Sequence, residues 1–233
     1  LVGIVCFFAL VDCLGKAVFM TDKAVKIKKN KSIKAWVHQH VNDIYVNQAQ
    51  KVGYRSRAAY KLLEIDEQEN VFHNVLTVVD LGCAPGSWSQ VSLQKVGDKG
   101  RVVGVDLLDM QPLANLNFIQ GDFTEQITLD KLLLSIEHRK VDLVISDMAP
   151  NLSGIKGVDQ ARGAYLIELV LDFAKGYLKT NGHCIIKVFH GSEFDNLVKL
   201  ARTLFTQVLI RKPDASRSKS SETYLLCKFK KQL

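Results

Sequence analysis

Leu76-Thr77-Val78-Val79-Asp80-Leu81-Gly82-Cys83-Ala84-Pro85-Gly86-Ser87-Trp88 is the stretch that decides the fold. An apolar, β-branched run ends in a glycine-bearing turn, and the turn opens a helix. Doubly wound sheets hold nucleotide-like ligands outside the strand ends at such a turn. Its spacing separates two ligand classes. A dinucleotide fingerprint needs Gly-x-Gly-x-x-Gly, so that backbone amides can close on a pyrophosphate. Only Gly82 and Gly86 are present here, and Asp80 places a carboxylate that would repel a pyrophosphate. An acidic, less glycine-rich turn suits a sulfonium with an amino-acid tail, S-adenosylmethionine. The plain alternative is a strand-to-helix turn that merely uses glycine.

Downstream, short apolar runs alternate with amphipathic stretches, the pattern of a parallel α/β sheet. The pattern predicts strands over 76–80, 101–106, 117–120, 141–146, 182–189, 207–211 and 223–229. It predicts helices over 56–67, 88–96, 125–136, 160–178 and 194–205. The loop 212–222 leaves no room for a crossover helix, so the last two strands are expected to be antiparallel neighbours. A seven-stranded, mostly parallel sheet with a C-terminal antiparallel strand is expected of a class I, Rossmann-like methyltransferase. A plain dehydrogenase domain would lack that ending.

A chain of 233 residues predicts one main domain with a core large enough to need neither disulfides nor a metal. The five cysteines include no Cys-x-x-Cys pair, so no structural zinc is expected, and Cys184 and Cys227 read as buried thiols of a cytoplasmic protein. The net charge of +7 is concentrated in residues 20–57, where nine Lys or Arg face Asp22 and Asp43. Residues 58–233, the methyltransferase domain in this reading, are neutral in sum. A polyanion-binding arm is indicated, and Trp36, Tyr45 and Tyr54 among the basic residues favour RNA, since aromatic rings stack on bases. The ordinary alternative for Lys23–Lys31 is a solvated lysine run. Leu1–Val11 is apolar but too short to span a bilayer, and it lacks the features of a signal peptide. Residues 1–19 read as a non-native or mis-annotated extension, and no membrane role is expected.

Carboxylates recur where strands end: Asp80, Asp106, Asp122 and Asp147. Asp106 lies about 20 residues beyond the glycine turn, the position of a carboxylate that grips ribose hydroxyls. Asp122 could accept from an adenine amino group. Either alone could equally cap the next helix. Lys187 is the stronger anomaly, a lysine between Ile186 and Val188 in a strand that reads as central. Burying it is costly unless it is paired or functional. Ser56–Glu67 reads as a Ser-capped helix that carries Lys61 toward the strand ends.

Five motifs now fall in order: Arg55-Ser56-Arg57-Ala58-Ala59-Tyr60-Lys61, Asp80–Trp88, Ser146–Asn151, Ile186-Lys187-Val188-Phe189 and Arg211–Arg217 with Glu222. Together they resemble the FtsJ/RrmJ ribose 2′-O-methyltransferases, from about Lys31 onward. Within that family the resemblance is greatest to the bacterial type that methylates a uridine ribose in the peptidyl-transferase A loop of large-subunit ribosomal RNA. The resemblance implies a catalytic tetrad of Lys61, Asp147, Lys187 and Glu222. It implies S-adenosylmethionine contacts at Gly86, Trp88, Asp106, Asp122 and Asp147, no metal, and the large ribosomal subunit as partner of a monomeric enzyme. Cys83 and Ser87 replace smaller family residues in the turn. Lys187 is the expected base: burial and Lys61 would lower its pKa, while Asp147 and Glu222 would raise it. Arg211, Lys212, Arg217 and Lys219 are expected to join the arm in gripping phosphates. The competing readings are another RNA substrate within the family and a non-catalytic ribosome-assembly factor.

Overall fold

The computed structural model describes residues 43–151, 153–217 and 220–232. The apolar extension, the arm up to residue 42 and Lys219 lie outside the described residues. The first described helix, α1 (Ile44–Val52), starts at Asp43, whose carboxylate accepts from the Tyr45 and Val46 amides at 3.0 and 3.4 Å. It stops at Gly53, in the left-handed region that suits glycine. Sequence reasoning left this stretch in the basic arm without a helix. Its Asp cap and Gly stop were the legible signals, but only Val46 and Ala49 are buried, so the apolar stripe is thin. α2 (Ala58–Glu69) has Arg57 and not the expected Ser56 at its N-cap, with no side-chain cap hydrogen bond; Ser56 sits one residue earlier, where its Oγ accepts from the Ala58 amide at 3.2 Å.

The sheet then follows through β1 (Thr77–Leu81), α3 (Ser87–Val96), β2 (Arg101–Asp106), β3 (Leu116–Gln120), α4 (Gln126–Ser135) and β4 (Val141–Ser146). It continues through α5 (Lys156–Tyr177), β5 (Leu178–Phe189), α6 (Phe194–Leu204), β6 (Phe205–Arg211) and β7 (Glu222–Lys230). Successive strand residues face opposite ways, and both faces are buried, which is why the strands read as unbroken apolar runs. Val78, Val102, Leu143 and Ile185 pack under α2 and α3. Val79, Val103, Val144 and Ile186 pack under α4, α5 and α6. α5 begins before the predicted residue 160 because its exposed first turns carry no apolar period, and β5 begins before 182 through the exposed Lys179, Thr180 and Asn181.

Strand order is β3-β2-β1-β4-β5-β7-β6. The seven-stranded, mostly parallel sheet agrees with expectation, and β6 and β7 are antiparallel neighbours. β7 also inserts between β6 and β5 and runs antiparallel to both. That insertion matters for the site: a reversed strand begins at the edge where its parallel neighbours end. Cys184 and Cys227 are buried free thiols opposite each other on β5 and β7. Among the described residues, no helix is long and apolar enough to cross a membrane.

Candidate active site

The four residues of the expected tetrad converge at this edge. Asp147 follows β4, Lys187 lies near the end of β5, Glu222 opens β7, and Lys61 reaches down from α2. Lys187 is on the same face as Ile185, under α2, opposite Tyr224 of β7 in the sheet register. Its Nζ lies 3.1 Å from Asp147 Oδ1 and also donates to the Asp147 backbone carbonyl. Lys61 Nζ lies 2.6 Å from Glu222 Oε1. All four side chains are largely withdrawn from water, so each cation is compensated by a carboxylate.

Tyr224 joins the two pairs, and sequence reasoning missed it. Its hydroxyl donates toward Asp147 Oδ1 at 2.8 Å and toward Glu222 Oε1 at 3.2 Å, and its ring lies beneath Lys61 Nζ at 5.7 Å. Burial, and next the charges of Asp147 and Glu222, push its phenol far above the usual range, so it remains a donor. The Glu222 carboxyl takes the opposite course. Burial pushes it up, but the charge and hydrogen bond of Lys61, the charge of Lys187 and the Ser216 hydroxyl more than reverse that and hold it below the usual carboxylate range.

Beside the tetrad a cleft of about 720 Å³ opens between the ends of β1, β2, β4 and the start of α5, and Asp106, Asp122 and Asp147 line it. Asp106 is locked in place: Oδ2 accepts from the Ala84 amide and Oδ1 from the Leu108 amide, both at 2.8 Å. Asp122 Oδ1 accepts from the Thr124 amide and hydroxyl. Gly86 and Trp88 are placed differently. Gly86 is the N-cap of α3 in a left-handed conformation, and no side chain caps that helix. The first-turn amides of such a helix lack intrahelical acceptors and favour an anionic group. The Trp88 ring is buried away from the cleft, against Tyr224, and donates to the Ala58 carbonyl at 2.8 Å. Asp80 is not in the cleft either. It is fully buried behind the turn, accepts from Ser89 Oγ at 2.6 Å, and is pushed up to about 7 by burial.

The turn has no room to spare. A Cβ on Gly82 would come 2.2 Å from Met148 Cγ, and one on Gly86 would come 2.8 Å from Arg55 Nη1. Arg55 donates to the Pro85 carbonyl at 2.8 Å and the Pro112 carbonyl at 2.7 Å, bridging two loops at the cleft. Its backbone amide donates to Gln90, and Ser56 shares a hydrogen bond with Ser87. The basic residues read as phosphate grips are thus partly committed within the protein. Arg57 pairs with Asp43, Arg211 donates through Nε to Glu69 at 2.8 Å, and Lys212 donates to the Ser220 carbonyl at 2.9 Å.

The sequence pattern of the FtsJ-like methyltransferases matches residues 54–230. The chain belongs to the FtsJ-like methyltransferase family. Among its relatives, a ribosomal RNA large subunit methyltransferase E from Methylobacillus flagellatus is 53% identical over 200 residues, covering 86% of this chain and 97% of that protein. The same-named protein of Thiobacillus denitrificans is 54% identical over 203 residues, covering 87% of this chain and 92% of that protein. A crystal structure described as a ribosomal RNA methyltransferase from Plasmodium falciparum superposes with a TM-score of 0.68 at 33% identity, covering 76% of this chain and 98% of that one. The FtsJ-like match takes in the Arg55 bridge, the glycine turn, the acidic cleft and all four charged residues at the strand ends, whereas α1 precedes it.

Proposed function

We propose that this FtsJ-like protein transfers the methyl group of S-adenosylmethionine to the ribose 2′-hydroxyl of a uridine in large-subunit ribosomal RNA, in the peptidyl-transferase A loop. The observation that carries the reading is the pair of Lys–carboxylate contacts, Lys187–Asp147 and Lys61–Glu222, joined through one tyrosine hydroxyl beside an acidic cleft. The names of the relatives support the RNA substrate.

The donor set of the cleft fits the cofactor. Three carboxylates suit a molecule that offers hydroxyls, an amino group and a positive sulfur, and they disfavour a pyrophosphate. Asp106 would take the ribose hydroxyls, Asp122 the adenine amino group and Asp147 the region of positive charge. The Gly86–Trp88 amides at the uncapped start of α3 would take the carboxylate tail. Bound there, the cofactor supplies an electrophilic sulfonium methyl. The chain's own part is to make a weak nucleophile reactive. Lys187 serves as the base toward the 2′-hydroxyl, Asp147 aims its amine, and Lys61 with Glu222 holds the ribose in line.

The test is Lys187→Ala, assayed with labelled S-adenosylmethionine and ribosomal subunits that lack the modification. Transfer is expected to be lost while cofactor affinity, measured by calorimetry, stays within about threefold. Full transfer by the variant would remove Lys187 from the chemistry, and label mapped to another RNA would reassign the substrate.

A further inference from the structure

A second hollow, of about 410 Å³, lies across the Ala149–Pro150 ridge from the acidic cleft, and both ridge residues line both spaces. α5 divides its early turns between them, with Arg162 and Tyr165 toward the cleft and Gln160 and Ala164 toward the hollow. One wall is aromatic. Phe189 leaves β5 two residues after Lys187, is 36% exposed, and has its ring centre 6.0 Å from Lys187 Nζ. His190 and Phe194 stack beside it with ring centres 4.3 Å apart. The His190 amide donates to the Ser221 carbonyl at 3.2 Å, which ties this wall to the residue before Glu222. The polar groups are few: the Gln160 amide, Ser221, Lys156 and the carboxylates of Asp159 and Glu193.

We propose that this hollow receives the base of the acceptor nucleotide, turned out of the RNA, with Phe189 as its stacking partner. The proposal deepens the 2′-O-methyl reading and rests on it. With its ring centre 6.0 Å from Lys187 Nζ, Phe189 is within one nucleotide's reach of a 2′-oxygen that hydrogen-bonds that amine. Enzymes that act on a base take it out of the stack, and aromatic faces hold unstacked bases with little regard to sequence. Gln160 offers a donor and an acceptor on one planar group, the pattern an imide edge needs. Asp159 and Glu193 on the walls disfavour a phosphate, so a neutral ring is the part of the RNA that fits.

The test separates binding from chemistry in the full chain, using unmodified large subunits and labelled S-adenosylmethionine. Phe189→Ala is expected to raise KM for the subunit about tenfold or more, with KM for the cofactor within twofold, and Phe189→Tyr is expected to restore the wild-type value. Gln160→Ala, at a half-buried surface position, is expected to raise the same KM severalfold and decides the matter if Phe189→Ala melts early. If the subunit KM is unchanged in both alanine variants while transfer continues, the base pocket is overturned. A fall in kcat alone also overturns it, since Phe189 would then act only through Lys187. No transfer by the unaltered protein overturns the 2′-O-methyl reading and the pocket with it.

Discussion

Lys187 lies between Ile186 and Val188, each 1% exposed, so its charge is acceptable only because Asp147 meets it with both a carboxylate and a carbonyl. Tyr224 then has a defined role, because its one hydroxyl proton serves two carboxylates and keeps both lysine pairs in register. Tyr224→Phe is expected to lower kcat about tenfold and stability by about 1–2 kcal/mol, read from single-turnover rates and urea melts. Glu222 predicts an acid limb. Its folded pKa is depressed, so the stability it contributes is fully present above its ordinary value near 4.5 and is lost as pH falls through the lower folded value. Glu222→Gln should flatten stability against pH in that window. Asp80 predicts the reverse. Burial raises it from 3.8 to about 7, so its contribution is present below pH 3.8 and is lost as pH rises toward 7. The loss amounts to about 4 kcal/mol across that range, and Asp80→Asn should abolish this slope in urea melts between pH 4 and 8. A lysine in an apolar run declares itself in the sequence. Tyr224 does not, because a tyrosine in a strand looks ordinary until its hydroxyl is placed.

At the scale of elements, the segment from Gly53 to Arg57 does more than join α1 to α2. Arg55 bridges the loops at Pro85 and Pro112, while Ser56 and the Arg55 amide hold the first turns of α3. Arg55→Ala is expected to weaken cofactor binding about tenfold in calorimetry with little change in melting temperature, because the side chain touches loops and not core. Gly82→Ala should cost more than about 2 kcal/mol, since the added methyl meets Met148 and the left-handed φ disfavours any side chain. The strand-turn-helix pattern was legible because glycine, proline and apolar alternation mark it directly. The Arg55 bridge was not: an arginine in a basic stretch reads as a phosphate grip, and its acceptors are carbonyls about 30 and 57 residues away. α1 was overlooked for a related reason, because a helix that buries only two residues leaves almost no period to read.

For the whole molecule, charge is unevenly distributed along the chain. Residues 58–233 are neutral in sum, while Lys23, Lys26, Lys28, Lys29, Lys31 and Lys34 carry much of the excess. Removing residues 1–42 is therefore expected to reduce the salt dependence of RNA binding, by about 0.7–0.9 in the log–log slope for each phosphate that these lysines neutralise. Filter binding from low to moderate salt checks this, and an unchanged slope would show that they grip no phosphate. The sheet order was legible as far as its parallel part and its antiparallel ending. The position of β7 between β5 and β6 was not, since strand neighbours distant in sequence leave no local mark. That position makes β7, the last described strand, the one that brings the two halves of the site together. Among the described residues, the sheet partner of β6 is the strand that follows it in the chain. Paired between β5 and β6, β7 completes the sheet, brings Glu222 to Lys61 and sets Tyr224 opposite Lys187. A chain in which β7 is unpaired would hold open edges on β5 and β6, and would leave Lys61 without Glu222 and Lys187 without Tyr224 opposite it.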